Sequence, residues 1–141
     1  PDVSYLRISD SYLLFAEALM MQGLTGEAAQ WINLVRERAG ASTITGSDVT
    51  LDFILDERAR ELMSEEERRI TLLRTGKLLE RTRKYNALSK FHIQDYHKLW
   101  PFPAGAIDAN KDNKLDQNLG YGGNTTVDFS PPGYPDEGTN P

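Results

Sequence analysis

One run of the 141-residue chain concentrates groups able to do chemistry: Glu57-Arg58-Ala59-Arg60-Glu61-Leu62-Met63-Ser64-Glu65-Glu66-Glu67-Arg68. On a continuous helix Arg58, Glu61, Glu65 and Arg68 recur at spacings of 3, 4 and 3 and share one face. A carboxylate pair can serve as general acid and base in glycoside hydrolysis when the two groups face each other across a cleft. Here the acids run along one helix beside cations that hold them ionised. Arg58 also falls on the apolar stripe of Leu51, Leu55 and Leu62. A guanidinium among leucines must be paired, and Glu61 and Glu65 are within its reach. The favoured reading is a structural ion-pair ladder of Arg58, Glu61, Glu65 and Arg68.

Three further groupings carry side chains of the right types. His92 and His97 are five apart, whereas two zinc ligands on one helix face would want a spacing of three or four. Between Arg68 and Lys90 there are eight basic residues and one acid, Glu80. With no base-reading module beside them, they read as a solvated face or a docking surface for acidic segments. Asp108, Asn110, Asp112 and Asp116 occupy positions 1, 3, 5 and 9 of an EF-hand-like loop, with Asn113 at position 6. Position 12 is Leu119 where a bidentate Glu should stand. An Asx-rich loop is therefore favoured over a weak calcium site, and no other cofactor is implied. No GxSxG, Walker A, Rossmann or HExxH pattern is present, so the chain reads as non-catalytic.

Flat rings stack on pyranose faces, so the aromatic residues also count as chemistry. Trp31 lies on a helical stripe and reads as core. Trp100, in Leu99-Trp100-Pro101-Phe102-Pro103, reads as an anchor that ties the C-terminal segment to the body. Tyr121, Phe129 and Tyr134 fall in an irregular segment and are candidates for exposure.

The elements that must position these groups are helices. From Asp2 to Trp100 there is no proline, whereas the stretch from Pro101 carries six of the seven prolines and six of the eleven glycines. Residues 1–100 thus read as a helical body and 101–141 as an irregular segment packing on it. Tyr5, Ile8, Tyr12, Phe15, Ala16 and Leu19 follow the helical period, and Leu6, Leu13 and Met20 fill a second face, predicting a helix buried on more than one side. Gly23 closes it, and Thr25 is placed to cap a second helix with the stripe Ala28, Trp31, Ile32, Val35 and Ala39. A third helix starts after Thr50. Ser64 with Glu67 reads as a capping box that marks a fresh start or a bend, and a last helical stretch runs from about Glu66 to Tyr85 with a break at Gly76. The fold class is mainly α. Its first two helices form a hairpin whose small residues (Ala16, Ala18, Ala28 and Ala29) resemble one tetratricopeptide-type unit. No second copy follows at a period of about 34, so the hairpin should stack on other helices.

Composition excludes several classes. There is no Cys, hence no disulfide framework, thiolate metal site or cysteine nucleophile in these residues. No run approaches the roughly 18 apolar residues of a spanning helix. The net charge of −5 argues against a nucleic-acid partner. The chain opens Pro-Asp-Val, with neither an initiator Met nor a signal peptide, as expected if these were removed or if more of the protein precedes it.

Ordered along the chain, the motifs resemble a known family. They are Leu13-Leu14-Phe15-Ala16-Glu17-Ala18, then Gly23, Glu27-Ala28 and Ile32-Asn33-Leu34-Val35-Arg36-Glu37-Arg38-Ala39-Gly40. Next come Asp56-Glu57-Arg58-Ala59-Arg60-Glu61-Leu62 with Glu65 and Arg68, and Leu72-Leu73-Arg74-Thr75-Gly76-Lys77-Leu78. Trp100-Pro101-Phe102-Pro103, Ile107, Asn110 and Gln117-Asn118-Leu119-Gly120-Tyr121 complete the series. Together they resemble the C-terminal region of the SusD/RagB outer-membrane lipoproteins of Bacteroidetes, over about residues 5–121. Glu66, Thr71 and Leu119 stand where many members carry Gly, Asp and Pro, which marks a divergent branch.

The resemblance implies a glycan-binding or peptide-binding protein, lipid-anchored on the outer face of the outer membrane, that caps a SusC-like TonB-dependent transporter. It implies a full-length protein several-fold longer, with the lipid on an N-terminal cysteine. It assigns no ligand residue to this segment. The competing reading from the residues alone is a tetratricopeptide-like scaffold that binds protein segments without any glycan.

Overall fold

The computed structural model describes residues 6–109, 111 and 115–121. All regular elements among them are helical, so the protein is mainly α. Two compact units divide the chain, residues 1–68 and 69–141. The composition break at residue 100 therefore falls inside the second unit.

The first unit holds α1 (Ile8–Met21), α2 (Thr25–Arg38), a 3-10 turn (Gly46–Asp48) and α3 (Leu51–Glu61). Gly23 adopts φ +79°, its N–H bonds the Met20 carbonyl, and the Leu24 N–H reaches back to Leu19. This closing turn satisfies carbonyls that the helix end would otherwise leave without partners. The same turn recurs at Gly40 and at Gly76, which are φ +71° and φ +74°. After Gly23 the chain enters α2 so directly that Leu24 is the N-cap and Thr25 already the first helical residue. The cap expected from Thr25 is not made. At α3 the cap does form, with Thr50 Oγ1 accepting from the Phe53 N–H at 3.1 Å. The 3-10 turn is held by a box in which the Thr45 N–H and hydroxyl both bond Asp48 Oδ2 at 2.8 Å.

α1 packs mainly on α2 and to a lesser extent on α3. Leu13, Ala16 and Leu19 meet Ala28, Ala29, Ile32 and Val35, with Val49 and Ile54 completing the cluster. Alanines at the contact let the two helix backbones approach closely, which larger side chains would prevent. Trp31 is half-buried beside this core, with its ring 5.2 Å from Tyr12 and 5.0 Å from Phe15. The expectation that α1 is buried on more than one side is corrected: its buried face is Ser9, Leu13, Ala16, Glu17 and Leu19, while Ile8 and Phe15 are exposed. Periodicity locates an apolar stripe, but a stripe is buried only where another element covers it.

The second unit takes in α4 (Arg68–Arg74) from Arg69 on, then α5 (Leu78–Tyr85), a 3-10 turn (Asp95–Lys98) and α6 (Ala104–Ala109). The break expected at Gly76 separates α4 from α5. No helix begins at Ser64. That residue sits at φ +66° in a turn where the Glu65 and Glu66 N–H groups both bond the Leu62 carbonyl, so the capping box read from Ser64 and Glu67 is not formed. α6 is a helix inside the segment expected to be irregular. Pro103 precedes it and its carbonyl accepts from Ala106 and Ile107, a start proline favours.

Candidate functional site

The charged run builds a network on α3, but not the one that continuous helical spacing suggested. Arg58, only 4% exposed, donates from Nε to Glu66 Oε1 at 2.5 Å and from Nη2 to Asp10 Oδ1 of α1 at 2.6 Å. Glu61 accepts from Arg38 Nη2 of α2 at 2.7 Å and lies 3.2 Å from Arg7 Nη2. Glu65 accepts from Arg7 Nε at 2.6 Å, and Arg68 lies 3.2 Å from Glu66 Oε2. Each of the four residues is ion-paired, yet not to any other of the four. The reason is local: α3 ends at Glu61 and the chain turns through Ser64, so Glu65 and Arg68 leave the face that Arg58 and Glu61 share.

Besides Arg7 and Arg38, three acidic members of the network escaped the sequence reading. Glu66, which stood out only as a departure from the family pattern, bridges Arg58 and Arg68 and is 6% exposed. Glu57 bridges Arg36 and Arg60, at 2.7 Å to each. Asp10 joins α1 to the set. One signal was available: Glu57 and Glu61 are four apart and so share a helix face, while Arg36 and Arg38 end α2. A carboxylate engaged by two guanidiniums is committed as an acceptor, which suits clamping helices together rather than proton transfer.

In the second unit the residues that could meet a ligand lie around Trp100. Arg69, from α4, donates to the carbonyls of His97 and Leu99 and carries its guanidinium 4.4 Å from the centroid of the Trp100 ring. Tyr121 donates its hydroxyl to the Leu99 carbonyl at 3.0 Å, and its ring meets Tyr96 edge-on at 5.0 Å. Gly120 permits that contact. It lies at φ +88°, and a Cβ built there would collide with Tyr96 Cβ. Asn118 Nδ2 donates to the Trp100 carbonyl at 2.6 Å, while Gln117 accepts from the Phe102 N–H at 2.7 Å and donates to its carbonyl at 2.9 Å. The segment 99–102 is therefore fastened through its backbone. Trp100 as a residue is nonetheless 69% exposed, with its ring against the Arg69 guanidinium.

Among the described residues the remaining metal candidates do not gather. His97 Nδ1 accepts from the Gln94 N–H at 2.8 Å, and His92 is exposed. Asp108 lies in α6 and Asp116 is exposed, while Asn110 and Asp112 lie outside the described residues, as do Phe129 and Tyr134. Among the described residues no group of three or more His, Asp or Glu is placed to hold a metal ion.

Comparison with known proteins supplies the family. The SusD family model matches residues 1–121. The starch-binding protein SusD of Bacteroides thetaiotaomicron is 34% identical over 126 residues, which cover 85% of this chain and 22% of that protein. The SusD-like protein P38 of Formosa agariphila is 32% identical over 131 residues, covering 85% of this chain and 25% of that protein. The chain thus spans a quarter or less of the length of these relatives. No solved structure matches it. The chain belongs to the SusD family.

Proposed function

We propose that this chain is the C-terminal part of a non-catalytic glycan-binding protein of the outer membrane, working as the capture component of a TonB-dependent uptake complex with a SusC-like transporter. The observation that carries the reading is the family match over residues 1–121, joined by the similarity to a starch-binding protein. The residues support it. Glu57, Glu61, Glu65 and Glu66 of the charged run are engaged by arginines, and the exposed aromatic surface belongs to a segment fastened at its backbone. Oligosaccharide or polysaccharide is the ligand, and the protein is held at the extracellular face by a lipid on its N-terminus. Such an anchor requires no spanning helix, and no described helix is long and apolar enough to be one. The reading needs no cofactor and no nucleic acid. Calcium on Asp108, Asn110, Asp112 and Asp116 would be an addition to it.

Binding of the full-length protein to a panel of soluble glycans tests the proposal. Saturable binding of at least one glycan, without release of reducing ends, is expected. Capture of peptides with no glycan bound would overturn it in favour of a tetratricopeptide-like scaffold. Release of reducing ends would return the carboxylates to consideration as catalysts.

A further inference from the structure

We infer that Trp100 is a stacking platform for a pyranose unit of the glycan, a role that rests on the glycan-capture reading. The segment Leu99-Trp100-Pro101-Phe102-Pro103 is bonded at several points of its backbone, yet the largest side chain in it faces water. Two prolines fix their own φ and bias Trp100 and Phe102 to extended backbone. Three side chains then bond the backbone: Tyr121 at Leu99, Asn118 at Trp100 and Gln117 on both sides of Phe102. A ring that served only to fasten the segment would be buried, because burial is where an indole contributes most. This one is 69% exposed.

Its two faces differ. The Arg69 guanidinium lies over one at 4.4 Å, and Arg69 is itself tied to the His97 carbonyl. With that face covered and the residue still largely accessible, the exposed area belongs to the opposite face and the ring edge. An indole held from behind loses little freedom when a ligand lands on it, which is the condition for efficient binding. The negative face of the π system attracts the C–H groups on the flat side of a pyranose for the reason that it attracts a cation. Asn118 and Gln117 bond the backbone of the same segment, and the bond each amide nitrogen makes to the Trp100 or Phe102 carbonyl uses one of its two N–H groups. A solvent-facing ring on a segment that also carries amide donors fits a polyhydroxylated ring better than it fits an apolar helix of another protein.

The test uses the full-length protein with maltoheptaose, cellohexaose and xylohexaose as probes, titrated against wild type, Trp100→Ala and Trp100→Phe. For the probe that binds wild type, Trp100→Ala should raise Kd about tenfold or more, and Trp100→Phe should recover most of the loss. Unfolding midpoints recorded in parallel separate a lost platform from a lost fold. A second readout does not depend on the variants folding. The fluorescence assigned to Trp100 by difference from Trp100→Phe should be quenched by acrylamide and protected by the bound probe. Equal affinity of wild type and Trp100→Ala would overturn the platform and leave the glycan reading standing. So would a Trp100 that acrylamide cannot reach, since the ring would then be covered by another part of the chain. Failure of wild type to bind any of the probes or any glycan of the wider panel would overturn the glycan reading itself.

Discussion

At the scale of single residues the decisive group is Arg58. It is buried, and both of its carboxylate partners, Asp10 and Glu66, come from outside its own helix. Arg58→Ala leaves Glu66 shielded from water without its closest cation, and should destabilise the fold by about 3–5 kcal/mol in urea unfolding. A loss within about 0.5 kcal/mol, as for an exposed pair, would show that the pair is solvated. Asp48 gives the clearest pH effect. The Thr45 N–H, and then the Thr45 hydroxyl, hold its carboxyl below the usual carboxylate range. A group with a lowered folded-state pKa contributes stability above its unfolded value and loses it as pH falls through the folded value. The 3-10 turn should therefore loosen only at pH below the ordinary aspartate range, and Asp48→Asn should remove that dependence when amide exchange is followed at Thr45. Gly120→Ala combines a positive φ with a clash against Tyr96, and should abolish the edge-on contact between Tyr96 and Tyr121. An unaltered Tyr96 environment by NMR would refute this.

At the scale of elements, boundaries follow local chemistry while faces do not. Thr50→Ala removes the cap of α3 and should cost about 1 kcal/mol. Thr25→Ala should cost less at the N-terminus of α2, where no side-chain cap exists. A comparison of the two unfolding midpoints checks the order. These ends were legible because Gly23, Gly40, Gly76 and Thr50 act on their immediate neighbours. Which side of α1 is buried was not legible, because Ile8 and Phe15 fit the stripe as well as Ala16 and Leu19 do and only the placement of α2 and α3 distinguishes them. A bend after α3 was legible at Ser64, but its form was not. It places a serine, not a glycine, at positive φ, and composition carries no warning of that. The same bend hid the partners of Arg58. Trp100 reads from the sequence as an anchor, but its contact with Arg69, some thirty positions away in the chain, is beyond what neighbouring residues reveal.

At the scale of the whole molecule, the chain carries a quarter or less of the length of its relatives, and the capture function proposed for it is one of a full-length protein. Calcium bears on that scale through stability. The unfolding midpoint of the full-length protein should be the same with calcium and with chelator, and a rise with calcium would assign ligand roles to Asp108 and Asp116. The charge network has a different kind of consequence. Glu57, Glu61 and Glu66 each serve two arginines, and Arg7 and Arg58 each serve two acids. Replacing one shared carboxylate deprives two cations at once, so no single exchange of sign within the set is self-contained. Changes that preserve the fold must arrive as matched groups drawn from α1, α2, α3 and the residues that flank them. Along the line of descent, this surface should drift in coordinated blocks rather than position by position.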